Sequence, residues 1–212
     1  SVVNALSDLN ARLIVFDVFF ETERDQQGDQ AFAQAIKQAG NVLLFSRSQK
    51  EMLEGAEMES FLQPYAPFAE SALDVAPSIL PKVPARVSRF FLRHPSFINV
   101  PTLPTRAWRI VSADNPSQQG LPDLSDARPD PLLNLYGPPR TITTLEFADV
   151  VNRTPRAQAA VENRVVFVGY SAADQPDQRD GFYTSFSNDR GLDVSGVELA
   201  ATAYANLAEG HW

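Results

Sequence analysis

Residues 12–20 are almost unbroken in apolar character: Arg12-Leu-Ile-Val-Phe-Asp-Val-Phe-Phe20 is dominated by β-branched and aromatic side chains. A run of this kind predicts a strand buried on both faces. The period then changes. Phe32, Ala35, Ile36 and Ala39 recur at i, i+3, i+4 and i+7, with Asp29 placed to cap a helix and Gly40 to end it. Residues 41–46, Asn-Val-Leu-Leu-Phe-Ser, form a second apolar run. Strand, amphipathic helix and strand make a βαβ crossover, and a crossover requires parallel strands.

Residues 48–85 keep no sustained period. Residues 49–61 are compatible with a helix that Gly55 weakens, and prolines at 64, 67, 77, 81 and 84 divide the rest into short segments joined by turns. Residues 87–93 and 107–112 read as strands, and 115–131 as a polar loop of a length that often carries function. Leu132-Leu-Asn-Leu-Tyr136 reads as a short strand stopped by Gly137-Pro138-Pro139. Thr143 and Glu146 have the spacing of a capping box for a helix to Val151, and Thr154-Pro155 opens another with proline in its first turn. Arg164-Val-Val-Phe-Val-Gly169 predicts a third buried strand. Ser195 and Glu198 form a second capping box. Val197, Ala200, Ala201, Tyr204 and Leu207 then line one face of a helix closed by Gly210. The expected fold is α/β, a mostly parallel central sheet flanked by helices, in a single domain over residues 1–212.

Composition narrows the function classes. The chain has 212 residues, 44% hydrophobic and 21% charged, with a net charge of -8. That charge argues against nucleic acid, whose phosphates need a basic surface. There is no cysteine, so disulfides, zinc–thiolate sites and a cysteine nucleophile are excluded. No run approaches the roughly 18 apolar residues that span a bilayer. The chain opens on Ser1 with no signal peptide, which fits a segment of a longer protein whose flanks hold the membrane helices.

The candidate catalytic constellations each lack a part. Gly169-Tyr170-Ser171-Ala172-Ala173 resembles a nucleophile elbow, and Asp193 and His211 follow in α/β-hydrolase order. An elbow feeds directly into a helix, however, whereas a polar stretch follows here, and His211 stands at the chain end. Asp17 at the end of an apolar strand resembles the nucleophile of haloacid-dehalogenase-type phosphatases. Phe19 occupies the place of the second carboxylate that would protonate the leaving group. Asp174, Asp177 and Asp180 are spaced three apart, unlike an EF-hand loop. His94 and His211 are too few for a histidine-rich metal site, and His94 before Pro95 reads as an exposed turn residue. No glycine-rich phosphate loop is present. Arg86, Arg89 and Arg93 with Phe90 and Phe91 read as a strand with a charged face. No metal and no cofactor is expected.

Several blocks together resemble the second class of CHASE domains, the cyclase- and histidine-kinase-associated sensory extracellular domains. They are Phe16-Asp17-Val18-Phe19-Phe20-Glu21 with Asp29 and the helix to Gly40-Asn41-Val42-Leu43-Leu44, and Leu133-Asn134-Leu135-Tyr136-Gly137-Pro138-Pro139 leading to Phe147-Ala148-Asp149-Val150-Val151. Near the end come Arg164 to Ser171, Asp180, and Ser195-Gly196-Val197-Glu198-Leu199-Ala200-Ala201-Thr202 with Asn206-Leu207. The resemblance implies a non-catalytic extracytoplasmic sensor on the periplasmic or extracellular face of the cell membrane. It further implies membrane helices on both sides of the domain. The signal would pass to a cytoplasmic adenylate or diguanylate cyclase or a histidine or Ser/Thr kinase.

In open parallel sheets ligands sit beyond the carboxyl ends of the strands. Those ends place Asp17, Glu21, Ser46, Arg47, Tyr136, Gly169, Ser171 and Asp180 as the candidate ligand-binding residues, for a small-molecule or envelope signal. The same residues also suit ordinary turn chemistry. The reading is compatible with a homodimer; a non-catalytic dimerisation or interaction module is the alternative to a ligand reader, and a serine hydrolase or a phosphatase is the enzyme alternative.

Overall fold

The computed structural model describes residues 1–53, 56–80, 86–113, 127–171, 181–187 and 193–211. In chain order the elements begin with α1 (Val2–Asp8), β1 (Leu13–Asp17), α2 (Gln26–Ala39), β2 (Val42–Leu53) and β3 (Ala56–Leu62). They continue with α3 (Ala66–Ser71), β4 (Asp74–Pro77), α4 (Leu103–Ala113), α5 (Phe147–Val151) and α6 (Pro155–Val161). Last come β5 (Val165–Gly169), β6 (Gly181–Phe182), β7 (Val194–Ser195) and α7 (Gly196–Glu209). They fall into two compact units that alternate along the sequence: Ser1–Pro77 with Leu145–Val168, and Ser78–Thr144 with Gly169–Trp212.

The first unit holds the central sheet, in the order β3-β2-β1-β5, with β4 also paired to β2. The near half of β2 runs parallel to β1, Ile14 opposite Val42, and parallel to β4, Leu43 opposite Asp74. The βαβ crossover expected from the sequence is therefore present. Leu13, Ile14, Val15 and Phe16 are all buried, so side chains pointing to either face of β1 lie under cover, as an apolar run requires. Around Ile14, Phe16, Ile36 and Leu44 the core gathers Leu6, Phe68 and Val161. Truncating Ile36 to Ala would cost about 2–5 kcal/mol. Phe16, Phe20, Phe32 and Phe68 meet mostly edge to face, with ring centres 5.1–5.8 Å apart, the arrangement the ring quadrupole favours.

The start of α2 lies one turn earlier than expected. Asp25 is the N-cap, its Oδ2 accepting the Gly28 N–H at 2.8 Å. Asp29 lies inside the first turn and reaches back, accepting the N–H groups of Arg24 at 2.8 Å and Asp25 at 3.3 Å. Two carboxylates at the positive end of the helix satisfy donors that have no intrahelical partner. Gly40 closes α2 in the left-handed region at φ 66°, where a side chain would be strained.

Residues 49–53 and 56–61 are strands and not helix. The far half of β2 pairs antiparallel with β3, from Arg47 opposite Leu62 to Leu53 opposite Ala56. Cross-strand bonds stand in place of a helical face: Ser48 Oγ donates to Glu59 at 2.6 Å, and Lys50 pairs with Glu57. The third apolar strand is present as β5, but all five of its residues are half-buried; it ends the strand order, beside β1.

In the second unit, residues 107–112 belong to helix α4 and not to a strand. Pro104 lies in its first turn, and the Thr102 carbonyl accepts the Arg106 N–H at 2.8 Å. Residues 87–93 and 132–136 form no named strands: they meet at one bridge, Arg89 with Leu132, where the Leu133 N–H donates to the Ser88 carbonyl at 2.9 Å, and Arg93 bridges Pro101. Their core joins Phe90, Leu92 and Leu133 to Trp108, Leu199, Ala203 and Leu207. His94, expected at the surface, is 2% exposed; its ring packs on Phe97 at 5.1 Å and its Nδ1 accepts the Ser96 N–H at 3.2 Å. Of the expected basic stripe, Arg89 donates to the Asp130 carbonyl at 2.8 Å.

Candidate functional site

Helix α7 is largely enclosed in the second unit. Val197, Leu199, Ala200, Thr202, Ala203, Asn206 and Leu207 are buried, while Ala201 and Tyr204, expected on its inner face, are half-buried. The apolar face is thus rotated toward Leu199, Ala203 and Asn206. A polar Asn206 with 0% exposure needs partners, because a buried unpaired amide is costly. It finds them in the segment 132–141, which ends in a turn at Gly137–Arg140. Asn206 Oδ1 accepts the Asn134 N–H at 2.8 Å, and its Nδ2 donates to the Asn134 carbonyl at 3.0 Å and to the Tyr136 hydroxyl at 3.2 Å.

Two further side chains of α7 hold the same segment. The Tyr136 hydroxyl donates to Glu209 Oε2 at 2.7 Å. Burial, helped by the Glu209 carboxylate, pushes the Tyr136 phenol up from its ordinary pKa. At the other end Glu198 Oε1 accepts the Arg140 N–H at 2.7 Å, where Arg140 stands in the left-handed region at φ 69°. Burial raises the Glu198 carboxyl above its usual value, against the hydrogen bonds and charge that Arg140 and the Thr141 backbone supply.

Neither expected capping box forms as drawn. Ser195 is the N-cap of α7, but its buried hydroxyl makes no cap hydrogen bond and meets no partner among the described residues. Glu198 serves the Arg140 turn instead. Glu146, not Thr143, is the N-cap of α5, and it makes no side-chain cap bond. Thr154 does cap α6, its hydroxyl accepting the Ala157 N–H at 3.2 Å.

The candidate ligand residues divide between the units. In the first, Asp17 is half-buried as the last residue of β1. Glu21 and Arg47 form an ion pair at 3.2 Å, both about half exposed, and the Arg47 guanidinium lies 4.9 Å from the centre of the Phe19 ring. Ser46 is buried opposite Pro77, and since β2 runs on to Leu53, Ser46 and Arg47 are mid-strand and not at a strand end. In the second unit, Tyr136 belongs to the α7 seat. Gly169 is a packing position, because a Cβ there would stand 2.6 Å from Val197 Cβ. Ser171 is half-buried; Asp180, with Asp174 and Asp177, lies outside the described residues.

The segments that meet at α7 are 133–139 and 195–207, two of the blocks that carry the family resemblance. A model of the CHASE2 domain family matches residues 1–211. The chain belongs to the CHASE2 family. CHASE2 domains are sensory extracellular domains. The match runs through both compact units, so this CHASE2 domain includes the sheet as well as α7. No curated protein and no solved structure matches the chain. Among the described residues of this CHASE2 domain no helix is long and apolar enough to cross a membrane, and no acidic, histidine or cysteine cluster has the makings of a metal site.

Asn206 stands in a family-like block of the sequence without a role assigned to it, and Glu198 serves the Arg140 turn rather than a capping box. The signal for Asn206 was present: an amide seven residues after Leu199 and three after Ala203, on a face otherwise apolar.

Proposed function

We propose that this CHASE2 domain is the extracytoplasmic sensor of a bacterial transmembrane receptor. It reads a small-molecule or envelope signal and reports it through α7 to a cytoplasmic cyclase or kinase domain. The observation that carries the reading is the seat of α7, held by Glu198, Asn206 and Glu209 on one segment, residues 134–140. A signal that displaces residues 134–141 breaks hydrogen bonds to α7, and a helix with two hydrogen-bonded arrangements is the kind of bistable element a receptor needs. The domain performs no chemistry of its own, and its parent is anchored in the cell membrane with this face outward.

Topology tests the proposal. Alkaline phosphatase joined after this domain within its parent protein is expected to be active in intact bacteria, and β-galactosidase at the same junction inactive. The reverse pattern contradicts an extracytoplasmic sensor.

The second reading, a dimerisation module, is favoured by one observation. The β2–β3 hairpin carries Met52 and Met58 on strands that face solvent, 68% and 54% exposed. Sedimentation of the purified domain tests it: a dimer that Met58→Lys dissociates supports this reading, and a monomer at all concentrations removes it.

A further inference from the structure

A groove of about 470 Å³ runs between α2 and α3, within the roughly 300–1,000 Å³ typical of small-molecule sites. Gln26, Gln30 and Gln34 line one wall, one helical turn apart and exposed. Ala33, Tyr65 and Pro67 supply an apolar surface beside them. The lining from Gln26 to Lys37 extends about 16 Å along the helix axis.

The charges at this groove are spoken for or far apart. The Asp29 carboxylate is committed to the N-terminal N–H groups of α2. Glu23 accepts the Tyr65 hydroxyl at 3.4 Å. Lys37 stands at the opposite end, the positive end of the helix dipole offsets the carboxylates, and residues 30–34 between them carry no charged side chain. Each carboxamide carries both donors and acceptors, which matches a hydroxyl, itself both donor and acceptor. A row of such groups along an apolar strip fits a chain of sugar rings, which alternate hydroxyl edges with C–H faces.

We propose that the α2–α3 groove binds a neutral polyhydroxylated ligand, a short saccharide, hydrogen-bonded along Gln26, Gln30 and Gln34 with a C–H face against Tyr65. The site names a ligand class for the sensing role and rests on that role for its meaning in the cell. Its binding is nevertheless measured on the domain alone, so failure here leaves the topology test standing.

The test is a titration of ¹⁵N-labelled protein with cellotriose, maltotriose and chitotriose, followed by NMR. At least one trisaccharide is expected to shift the side-chain NH₂ signals of Gln26, Gln30 and Gln34. Gln30→Ala and Gln34→Ala, exposed changes to a good helix former, are expected to weaken that binding about tenfold each. Absence of shifts with all three sugars overturns the proposal. So do shifts confined to other residues, affinity untouched by both variants, or a response to glycine betaine or spermidine in place of the sugars.

Discussion

Asn206 closes both backbone groups of Asn134 with one side chain, accepting its N–H at 2.8 Å and donating to its carbonyl at 3.0 Å. An amide used in this way stands in for a strand partner: a helix side chain completes the hydrogen bonding of a segment 72 residues away. The asymmetry of the pair makes a prediction. Asn206→Ala strips partners from the Asn134 backbone and is expected to cost about 1–3 kcal/mol. Asn134→Ala keeps the same backbone bonds and is expected to stay within about 0.5 kcal/mol. Urea midpoints at unchanged slope measure both, and equal losses would contradict the backbone assignment.

Glu198 makes stability depend on pH in a stated direction. Its folded-state pKa is raised above the unfolded value near 4.5, burial being the largest cause. Its favourable contribution is therefore complete below pH 4.5 and is lost as pH rises through the folded value. Glu198→Gln retains an acceptor for Arg140 N–H without the buried charge. Its melting temperature relative to wild type is expected to rise between pH 4 and pH 7. Glu198→Ala, which removes the acceptor, is expected to melt lower than Glu198→Gln throughout. A difference between Gln and wild type that is flat with pH would count against the shift.

Gly169 is predicted to be required for space. With a Cβ only 2.6 Å from Val197 Cβ, Gly169→Ala is expected to cost about 1–3 kcal/mol through overpacking. Val197→Ala would leave that Cβ in place, whereas Val197→Gly removes it together with both methyls, so Gly169→Ala with Val197→Gly is expected to lose less stability than the two single losses summed. Simple additivity of the two losses would show that the close approach is not what the glycine serves.

The Glu21–Arg47 pair separates charge from stacking. Both side chains are about half exposed, so Glu21→Gln is expected to change stability by no more than about 0.5 kcal/mol. Arg47→Ala also loses the Phe19 face and is expected to cost about 1 kcal/mol. Arg47→Lys, lacking the planar guanidinium, is expected to recover only part of it. Thermal or urea unfolding reads all three variants, and a larger loss for Glu21→Gln than for Arg47→Ala would reverse the account.

What the sequence revealed, and what it hid, follows from the range of the forces involved. The crossover β1–α2–β2 was legible because burial on both faces of β1 and one face of α2 imposes two different periods on neighbouring residues. Gly40 marked its turn. The hairpin of residues 47–62 was hidden, since Lys50, Glu51, Met52 and Glu57 favour helices and only their cross-strand partners make them strands. In α4, Trp108, Ile110 and Val111 favour strands, and Pro104 was the overlooked sign of a helix start. The α7 seat was half legible. The blocks around Asn134 and Asn206 each stood out, but their contact depends on packing between residues 72 apart, which no local pattern encodes.

The central claim, that segment 132–141 sets the signalling position of α7, is tested most directly by receptor output. On the proposed receptor reading, the measurement is the output activity of the parent protein, at matched protein levels, for Tyr136→Phe and Glu209→Gln. Each change removes or weakens one surface bond of the seat, worth about 0.5–1 kcal/mol. A bias of that size shifts a two-state receptor roughly two- to fivefold. The account predicts that both variants move basal output in the same direction. Output indistinguishable from wild type in both would contradict it.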